Sequence, residues 1–452
     1  MNHPAALAPS PLETLDPPDS LDHWLAVGLL VMSFTWSLLP AGLSWDFASL
    51  GGNLEQGNWV VQLQWGSLFL VAGLLALRHF VRLQQVLLQL NPFLLALFLY
   101  CLMNSAWSIL PLVTLKKVVQ FGGLILLAVV LQITELRSLQ WRRILLATLV
   151  VFQVLSLLMV LVRPDIAIEY TGIENGAWEG GAWRGITDMK NTYGIMTAFT
   201  VIVWVSLFFT PGSGIRWPSF LMLLGYCGLS LVMAKSTTSL LVTLLGVGCF
   251  VMFRWKFIDS EYVASRVVIG LVLLLLVYVQ VLFVLNGRFP SWDEFFKPVA
   301  MLLGKSTDIS GRFDIWDMVL QEIHRHWWQG VGFGAFWLGR GSASQFIIDR
   351  LYWVPYQSHN GYLDLLNELG LIGLTLFVGF ILRHLLTLYR LARFDPVEAA
   401  FHGTLLVVIL VHNFTESSLF RGVNFLAILV IFSSVTVSID LHRLEDQDRY
   451  SR

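Results

Sequence analysis

Charged residues and cysteines are scarce in this sequence of 452 residues, and each scarcity excludes a class of protein. Only 13% of the residues are charged, whereas 56% are hydrophobic, and a soluble protein of this length could not cover its core with so little polar surface. The net charge of −1 argues against a nucleic-acid partner, because a phosphate-binding surface needs an excess of Lys and Arg. The three cysteines all lie in apolar runs, which indicates packing rather than disulfide or metal binding.

Long hydrophobic runs dominate the sequence and predict an all-α polytopic membrane protein. A helix that crosses the bilayer needs about 20 mostly apolar residues. About twelve runs meet this criterion, and they lie at 23–42, 59–77, 91–108, 112–132, 144–162, 192–210, 218–233, 237–253, 267–286, 362–382, 397–412 and 423–439.

The runs divide the chain into five predicted regions. Residues 1–22 are rich in proline and acidic residues and are expected to form a disordered tail. A membrane bundle of spans 1 to 9 follows at 23–286, then a long loop or lid at 287–361. The last three spans occupy 362–440, and a C-terminal tail occupies 441–452.

Positive charges in the short loops predict the orientation of the spans. Loops 43–58 and 104–115 contain neither Lys nor Arg, whereas the alternate connections are basic. Basic short loops usually remain in the cytoplasm, so both termini are expected there and loop 287–361 on the outer face. Four cations on short outer segments depart from this rule and are therefore functional candidates: Arg184, Lys190, Lys235 and Arg421.

The long outer loop is predicted to contain amphipathic helices. Apolar residues recur at spacings of three and four between 311 and 328 and predict one apolar face, formed by Phe313, Trp316, Val319, Leu320, Ile323 and Trp327. A second short amphipathic stretch covers 343–353. The glycine-rich turn at 330–334 follows a helix rather than a strand, so it is not a dinucleotide-binding motif.

Three motifs on the outer face carry a family resemblance. The first is Ser358-His359-Asn360-Gly361-Tyr362 and the apolar helix that follows it, the second is Gly311-Arg312, and the third is Lys190-Asn191 at the start of a span. In their order along the chain, with Lys190-Asn191 first and Ser358–Tyr362 last, they resemble the O-antigen ligase/polymerase superfamily, which includes O-antigen ligases, Wzy-type polymerases and exopolysaccharide polymerases. The resemblance covers most of residues 180–420, and the Lys-Asn motif favours an exopolysaccharide-type polymerase.

The resemblance implies a glycosyltransferase of the bacterial inner membrane, with its active site on the periplasmic face. Its donor would be an undecaprenyl diphosphate-linked glycan, and its acceptor a glycan or a lipid-linked chain, surrounded by membrane lipids. A polymerase would join oligosaccharide repeat units into an extracellular polysaccharide or O-antigen, whereas a ligase would transfer the finished polymer to lipid A-core. Neither a cofactor nor a nucleic-acid partner is implied, and the oligomeric state is not predicted.

A polysaccharide or lipid transporter, or a flippase, is the alternative from another functional class. Twelve spans suit such an architecture, and transporters also carry cations within the membrane. The two halves of the sequence show no repeat, although transporters often contain one.

The outer cations are candidates for binding the donor diphosphate, which gains negative charge as it leaves. Fixed cations stabilise such charge in a transition state. Arg184 and Arg312 are the main candidates because a guanidinium group can contact two phosphate oxygens, and Lys190 and Lys235 are secondary ones. The structural alternatives are snorkelling to lipid headgroups and, at Lys235, a simple helix start capped by hydroxyls.

His359 is the candidate general base, since an imidazole can accept the proton of an acceptor hydroxyl near neutral pH. A histidine that only forms local hydrogen bonds is the alternative. Four further residues are candidate orienting or sugar-binding groups: Asn360, Tyr362, Glu416 and Asp188. Glu416 could equally be an ordinary loop carboxylate. The histidines and carboxylates show no spacing typical of metal ligands, which predicts a metal-independent enzyme.

Two lysines lie just inside the outer end of the fourth predicted span. Lys116 and Lys117 would be costly there unless they face a cavity or a partner. A contact with the donor and snorkelling to the outer surface are both compatible with their position.

Overall fold

In the computed structural model, most of the chain folds into helices that share an extended apolar core. The structure describes residues 19–45, 55, 57–170, 172–174, 177–179, 181–210, 212–254 and 310–451. Within these ranges the helices are α1 (Ser20–Leu38), α2 (Trp59–Arg78), α3 (Phe80–Gln89), α4 (Pro92–Asn104), α5 (Pro111–Ile133), α6 (Ser138–Val162), α7 (Pro164–Ala167), α8 (Lys190–Phe208), α9 (Trp217–Met233), α10 (Thr237–Arg254), α11 (Ser310–His326), α12 (Gln345–Leu351), α13 (Gly361–Leu391), α14 (Pro396–His412) and α15 (Phe425–Ser451).

Seven helices in the described part of the chain are long and apolar enough to cross a membrane: α1, α2, α5, α6, α8, α13 and α15. The pair α3 and α4 passes the same test with a bend of 101° between them, and α9, α10 and α14 are shorter apolar helices. A helix occurs at every predicted span except 267–286, which lies outside the described residues. The predicted class of helical, polytopic membrane protein is therefore confirmed, whereas the number twelve and the outer position of loop 287–361 stay predictions.

Four short strands depart from the all-α prediction. Strand β1 (Ile168–Glu169) pairs antiparallel with β4 (Ala182–Trp183), and β2 (Gly172–Glu174) pairs antiparallel with β3 (Ala177–Glu179). Strands of two or three residues are too short to produce a periodic pattern, so the sequence gives no sign of them. They position the chain directly before α8, where Arg184 N donates a hydrogen bond of 2.9 Å to the carbonyl of Ala167.

Helix α13 is interrupted at Gly370, whose φ of +65° and ψ of −169° suit only glycine. Its 31 residues would extend about 46 Å as a straight helix, which exceeds a hydrocarbon core of about 30 Å. Backbone groups of 367–372 form hydrogen bonds of 2.8 to 3.3 Å with the backbone of 327–332. Because the protein itself satisfies the interrupted backbone, the break is tolerated in a membrane helix. It fixes the first nine residues of α13 beside the glycine-rich turn.

Helix α11 and the short helix α12 lie where the sequence predicts amphipathic helices. The buried face of α11 differs from the predicted one: Ile315, Val319 and Ile323 are buried, whereas Trp327 is 54% exposed and Leu320 is also exposed. The reason is that α11 packs against apolar residues of 331–337 and α12, not only against a flat interface. This packing places the start of α11 beside the loop that precedes α13.

Candidate functional site

Glu416, in the loop after α14, is the point at which four segments of the chain meet. Its Oε2 accepts a hydrogen bond of 2.7 Å from Gln357 and lies 3.1 Å from His359 Nδ1. Its Oε1 accepts a hydrogen bond of 3.0 Å from Asn191 and lies 3.4 Å from Arg312 Nη2. We call these five residues the Glu416 cluster. Three predicted site residues, His359, Arg312 and Glu416, are thus in direct contact.

The loop before α13 holds His359 in a left-handed backbone conformation with φ of +56°, which is uncommon outside glycine. Its neighbour Ser358 is fixed on three sides. The Ser358 carbonyl accepts a hydrogen bond of 2.8 Å from Trp316 of α11, the Ser358 N–H donates to Asp364 of α13, and the hydroxyl bonds to the backbone of Asn360. The position of the imidazole is therefore determined by α11 and α13 together.

Gln357 joins the His359 loop to the Glu416 loop. Its Oε1 accepts a hydrogen bond of 2.8 Å from Ser417 N, while its Nε2 donates to Glu416. A second backbone link, from Gly361 N to the carbonyl of Asn413, measures 2.8 Å. The two loops consequently form one unit, although their residues are more than fifty positions apart in sequence.

The contact with Glu416 determines the tautomer of His359. An ionised carboxylate only accepts hydrogen bonds, so the imidazole proton is assigned to Nδ1, which faces Glu416. Nδ1 also lies 3.3 Å from Gln357 Nε2, but that amide donates to the carboxylate. The assignment leaves Nε2 of His359 as the nitrogen that can accept a proton.

The neighbours of Glu416 keep it ionised in spite of its burial. Burial by itself would raise the pKa of this carboxyl group, but the hydrogen bond from His359 and the charge of Arg312 lower the pKa below its usual value. The Glu416 side chain is 12% exposed, compared with 24% for His359 and 33% for Arg312. The carboxylate is therefore enclosed, while the two groups that could meet a substrate are partly open.

Arg184 and Lys190 lie in a second polar group centred on Glu169 of β1. Lys190 donates its backbone N–H to Glu169 at 2.9 Å, and its ammonium group lies 3.9 Å from the same carboxylate. Arg184 is half-buried, and its pKa is lowered by this burial and raised again, in smaller part, by Glu169 and Asp188. Lys190 and Asn191 are consecutive at the start of α8, so this group adjoins the Glu416 cluster.

Asp188 lies at the base of the same group. Burial raises its pKa, and hydrogen bonds from Thr192 and nearby backbone oppose that shift. Its Oδ1 is buried and has no hydrogen-bond partner in the described part of the chain. The predicted orienting role of Asp188 stays a prediction. A ligand could donate a hydrogen bond to this Oδ1.

Lys235 is exposed in the turn between α9 and α10 and has φ of +49°. Gly194 of α8 lies so close to this turn that a Cβ there would be 2.5 Å from the Ser239 hydroxyl. The turn is therefore adjacent to the start of α8. A role of Lys235 in binding the donor stays a prediction.

Asn360 and Tyr362 use their polar groups to stabilise the start of α13. The side chain of Asn360 caps the helix, accepting hydrogen bonds from the backbone N–H groups of Tyr362 (3.1 Å) and Leu363 (3.3 Å). The Tyr362 hydroxyl donates to the carbonyl of Leu410 in α14 at 2.8 Å. Both residues thus hold the His359 loop in place, and their predicted contact with a sugar remains untested.

Three members of these groups were not selected as site residues from the sequence. Asn191 belongs to a recognised motif, but only the structure shows its contact with Glu416. Gln357 is an ordinary polar residue near His359, and Glu169 lies on a two-residue strand. No sequence pattern marks the last two, because their partners are distant along the chain. Among the described residues, no group of three or more His, Cys, Asp and Glu side chains is placed to hold a metal ion.

Residues 219–378, from α9 to the middle of α13, match the family model of the O-antigen ligases. This segment is an O-antigen ligase family domain. The predicted resemblance to the O-antigen ligase/polymerase superfamily is therefore confirmed, and the family consists of glycosyltransferase-like enzymes that act on lipid-linked glycans. With the candidate spans, the domain indicates a bacterial membrane protein. It includes Arg312 and His359, whereas Asn191 and Glu416 lie outside it. No curated protein matches the chain.

Proposed function

We propose that this O-antigen ligase family protein is a metal-independent glycosyltransferase that polymerises undecaprenyl diphosphate-linked repeat units at the periplasmic face of the inner membrane. The observation that carries the proposal is the contact of His359 and Arg312 with one carboxylate, Glu416. A proton acceptor and a phosphate-binding cation thereby lie side by side, and both are partly open to a substrate.

The acceptor hydroxyl would attack the anomeric carbon of the donor sugar. As the new C–O bond forms, the bond between that carbon and the diphosphate oxygen breaks, and Nε2 of His359 takes the hydroxyl proton. The resulting imidazolium would be stabilised by the Glu416 carboxylate at Nδ1, as a base is oriented by a third group in other catalytic sites. Glu416 is thus proposed to orient the base, which replaces its interpretation as an ordinary loop carboxylate.

The diphosphate that leaves would be bound by Arg312, with Arg184 and Lys190 contributing further positive charge. The ion pair of Arg312 with Glu416 uses Nη2 at 3.4 Å, and a guanidinium group carries five N–H donors in all. A partly desolvated cation that is fixed before the reaction stabilises developing charge at little reorganisation cost.

The Lys-Asn motif favours the polymerase over the ligase, and Asn191 of this motif donates a hydrogen bond to Glu416 of the proposed site. The ligase is the second candidate, since the matching family model is that of O-antigen ligases. The donor site would be the same in both, so the roles of His359, Arg312 and Glu416 do not depend on the choice.

The decisive experiment supplies the purified protein, in nanodiscs, with undecaprenyl diphosphate-linked repeat units. We expect release of undecaprenyl diphosphate together with a ladder of longer lipid-linked glycans on a gel. Product formed only when lipid A-core is added would favour the ligase instead. Movement of the intact lipid across a vesicle bilayer without release of diphosphate would favour a transporter and contradict the proposal.

A further inference from the structure

A cavity of about 1020 Å³ contains cations that the proposed reaction does not use. It lies between α2 and α5 and is bounded by 334–338 and by residues 420–422. Lys116, Lys117 and Arg421 line it, together with the carboxylates Glu55 and Glu368, so its formal charge is positive by one. Arg421 is also paired with Asp364, which does not line the cavity, so Lys116 and Lys117 are the cations that would attract an anionic ligand.

The shape of the cavity follows from the packing of two helices. Phe69 of α2 lies directly against Gly123 of α5, where an added Cβ would be 2.5 Å from the aromatic ring. On the N-terminal side of this contact, α2 lines the cavity between Asn58 and Phe69, about 17 Å of helix, and α5 lines it between Leu112 and Gln120. Apolar side chains also line the cavity, among them the buried Trp65 and the partly buried Phe69. A ligand with an anionic head and a hydrocarbon chain would match both the cationic and the apolar lining.

Glycines give the cations room at the polar end of the cavity. A Cβ at Gly334 would be 2.5 Å from Lys117 Cγ, and a Cβ at Gly422 would be 3.4 Å from its ammonium nitrogen. Lys116 and Lys117 make no ion pair within 4.0 Å with any described residue. Unpaired cations in a membrane helix usually face a cavity or a ligand, and the polar end of this cavity provides the space for one.

The cavity adjoins the back of the segment that carries His359. Arg421 donates a hydrogen bond to the carbonyl of Tyr356 and lies 3.6 Å from Asp364 Oδ2. Tyr356 lines the cavity and comes three residues before His359, and Asp364 accepts the backbone N–H of Ser358. Arg421, Tyr356 and Asp364 therefore connect the cavity to the loop that carries His359.

We infer that this cavity binds the diphosphate headgroup of a second lipid, the carrier of the acceptor glycan. The inference rests on the proposed function, because a polymerase needs two undecaprenyl diphosphate-linked substrates at once, whereas a ligase needs one of them together with lipid A-core. The cavity would recognise a phosphate group attached to a lipid. An ordinary anionic phospholipid carries such a group, as does the acceptor carrier. Lys116, Lys117 and Arg421 would bind the phosphates, and the apolar space beside Trp65 would hold the start of the hydrocarbon chain.

Native mass spectrometry of the full chain in neutral detergent tests the inference by counting bound undecaprenyl diphosphate. We expect two molecules per chain in the wild-type protein. The double variant Lys116→Gln/Lys117→Gln should bind one of them at least about tenfold more weakly, since each lost charge-assisted contact contributes about 1.5–3 kcal/mol. Arg312→Gln should weaken the other. The charge-conserving double variant Lys116→Arg/Lys117→Arg should retain both, and Arg163→Gln, at an exposed cation, should change neither.

The outcomes separate this inference from the proposed function. The second site would be overturned if the double variant Lys116→Gln/Lys117→Gln bound two molecules with wild-type affinity. It would also be overturned if the wild-type protein bound one molecule and only Arg312→Gln weakened that binding. Either outcome would leave the proposed donor site intact. Binding that neither variant weakens would contradict the donor site as well. Competition by phosphatidylglycerol at equal concentration would show that the cavity takes any anionic lipid, which would overturn its assignment to the acceptor.

Discussion

Helix α14 has a glutamate in contact with an arginine and a histidine at each end, and the two surroundings differ in access. At the C-terminal end, in the Glu416 cluster, the arginine and histidine side chains are 33% and 24% exposed. At the N-terminal end, Glu398 contacts Arg142 and His402, whose side chains are 0% and 1% exposed. The residue types are identical, but only one set can meet a substrate.

The enclosed set has its contacts within the protein, although Arg142 Nε and Nη1 have no hydrogen-bond partner among the described residues. Glu398 accepts a hydrogen bond from Ser138, His402 bonds to Ser433 at 2.8 Å, and the Arg142 guanidinium lies 4.8 Å from the centre of the Phe401 ring. Removing one partner of such a buried pair typically costs about 3–5 kcal/mol of stability. The same three residue types therefore stabilise the fold where their side chains are buried. Where the arginine and histidine are partly exposed to solvent, they are available to react with a substrate.

The largest expected effect is the loss of activity in His359→Ala. General-base catalysis typically contributes about 10² to 10⁴ in rate, so release of undecaprenyl diphosphate should fall by about 10³, with the melting temperature little changed. In the matched variant His402→Ala, the melting temperature should fall while the turnover of the folded fraction is retained. Both are measured by release of diphosphate and by thermal unfolding in the same detergent. If His359→Ala released diphosphate at the wild-type rate, His359 would not be the general base.

The Glu416 cluster also shows how far the sequence could reveal the site. Arg312 and His359 were recognisable because they belong to motifs, and the spans were recognisable because apolar runs must match the thickness of the bilayer. The convergence on Glu416 was not recognisable, because Asn191, Gln357 and Glu416 come from segments far apart in the chain. A sequence pattern records local periodicity, whereas this contact depends on how α8, α13 and α14 pack.

The same limit applies to the fold. The buried face of α11 includes Ile315 and Val319, whereas the predicted face included Trp316 and Leu320. The difference arises because residue spacing does not show which neighbouring segment the helix packs against. The interruption at Gly370 was also not predicted, since an isolated glycine in an apolar run is common in membrane helices. Arg142 lies in one of the basic connections that indicate the cytoplasmic side, and no sequence pattern there indicates that its side chain is fully buried.

A smaller effect is expected from Arg312→Lys, which keeps the charge but loses the planar fork. If Arg312 contacts two phosphate oxygens, turnover should fall by about 10- to 100-fold, as expected for the loss of a charge-assisted hydrogen bond of about 1.5–3 kcal/mol. The measurement is kcat/KM for the lipid-linked donor.

The matched change in the enclosed set is Arg142→Lys. It should lower the melting temperature and leave kcat/KM of the folded protein unchanged, since Arg142 is fully buried against Glu398. Wild-type kcat/KM in Arg312→Lys would exclude a bidentate contact with the diphosphate.

The charge of Glu416 predicts a pH dependence of stability. Its pKa in the folded protein is lowered, because the hydrogen bond from His359 and the charge of Arg312 oppose and outweigh the effect of burial. A carboxyl group with a lowered folded pKa stabilises the protein fully above the ordinary value of about 4.3, and this contribution is lost as the pH falls through the folded pKa.

The wild-type melting temperature should therefore exceed that of Glu416→Gln by a constant difference between pH 5 and 8. The difference should shrink below about pH 4. Differential scanning fluorimetry across this range measures it. A difference that already declines between pH 8 and 5 would show that Glu416 takes up a proton there, contrary to its cationic surroundings.

The smallest expected effect tests whether Gln357 positions His359 through Glu416. Gln357→Leu removes a neutral amide that bridges two loops, and a neutral hydrogen bond contributes about 0.5–1.5 kcal/mol, which corresponds to a change of about 2- to 10-fold. We expect kcat to fall within that range while the KM for the donor stays constant, because the amide orients the carboxylate that holds the base. Gln345→Leu, at a partly buried glutamine on α12 that also forms two hydrogen bonds, is the matched control and should change neither constant. A rise in KM with unchanged kcat would instead show that Gln357 helps to bind the donor. The Glu416 cluster would then contribute more to substrate binding than to proton transfer.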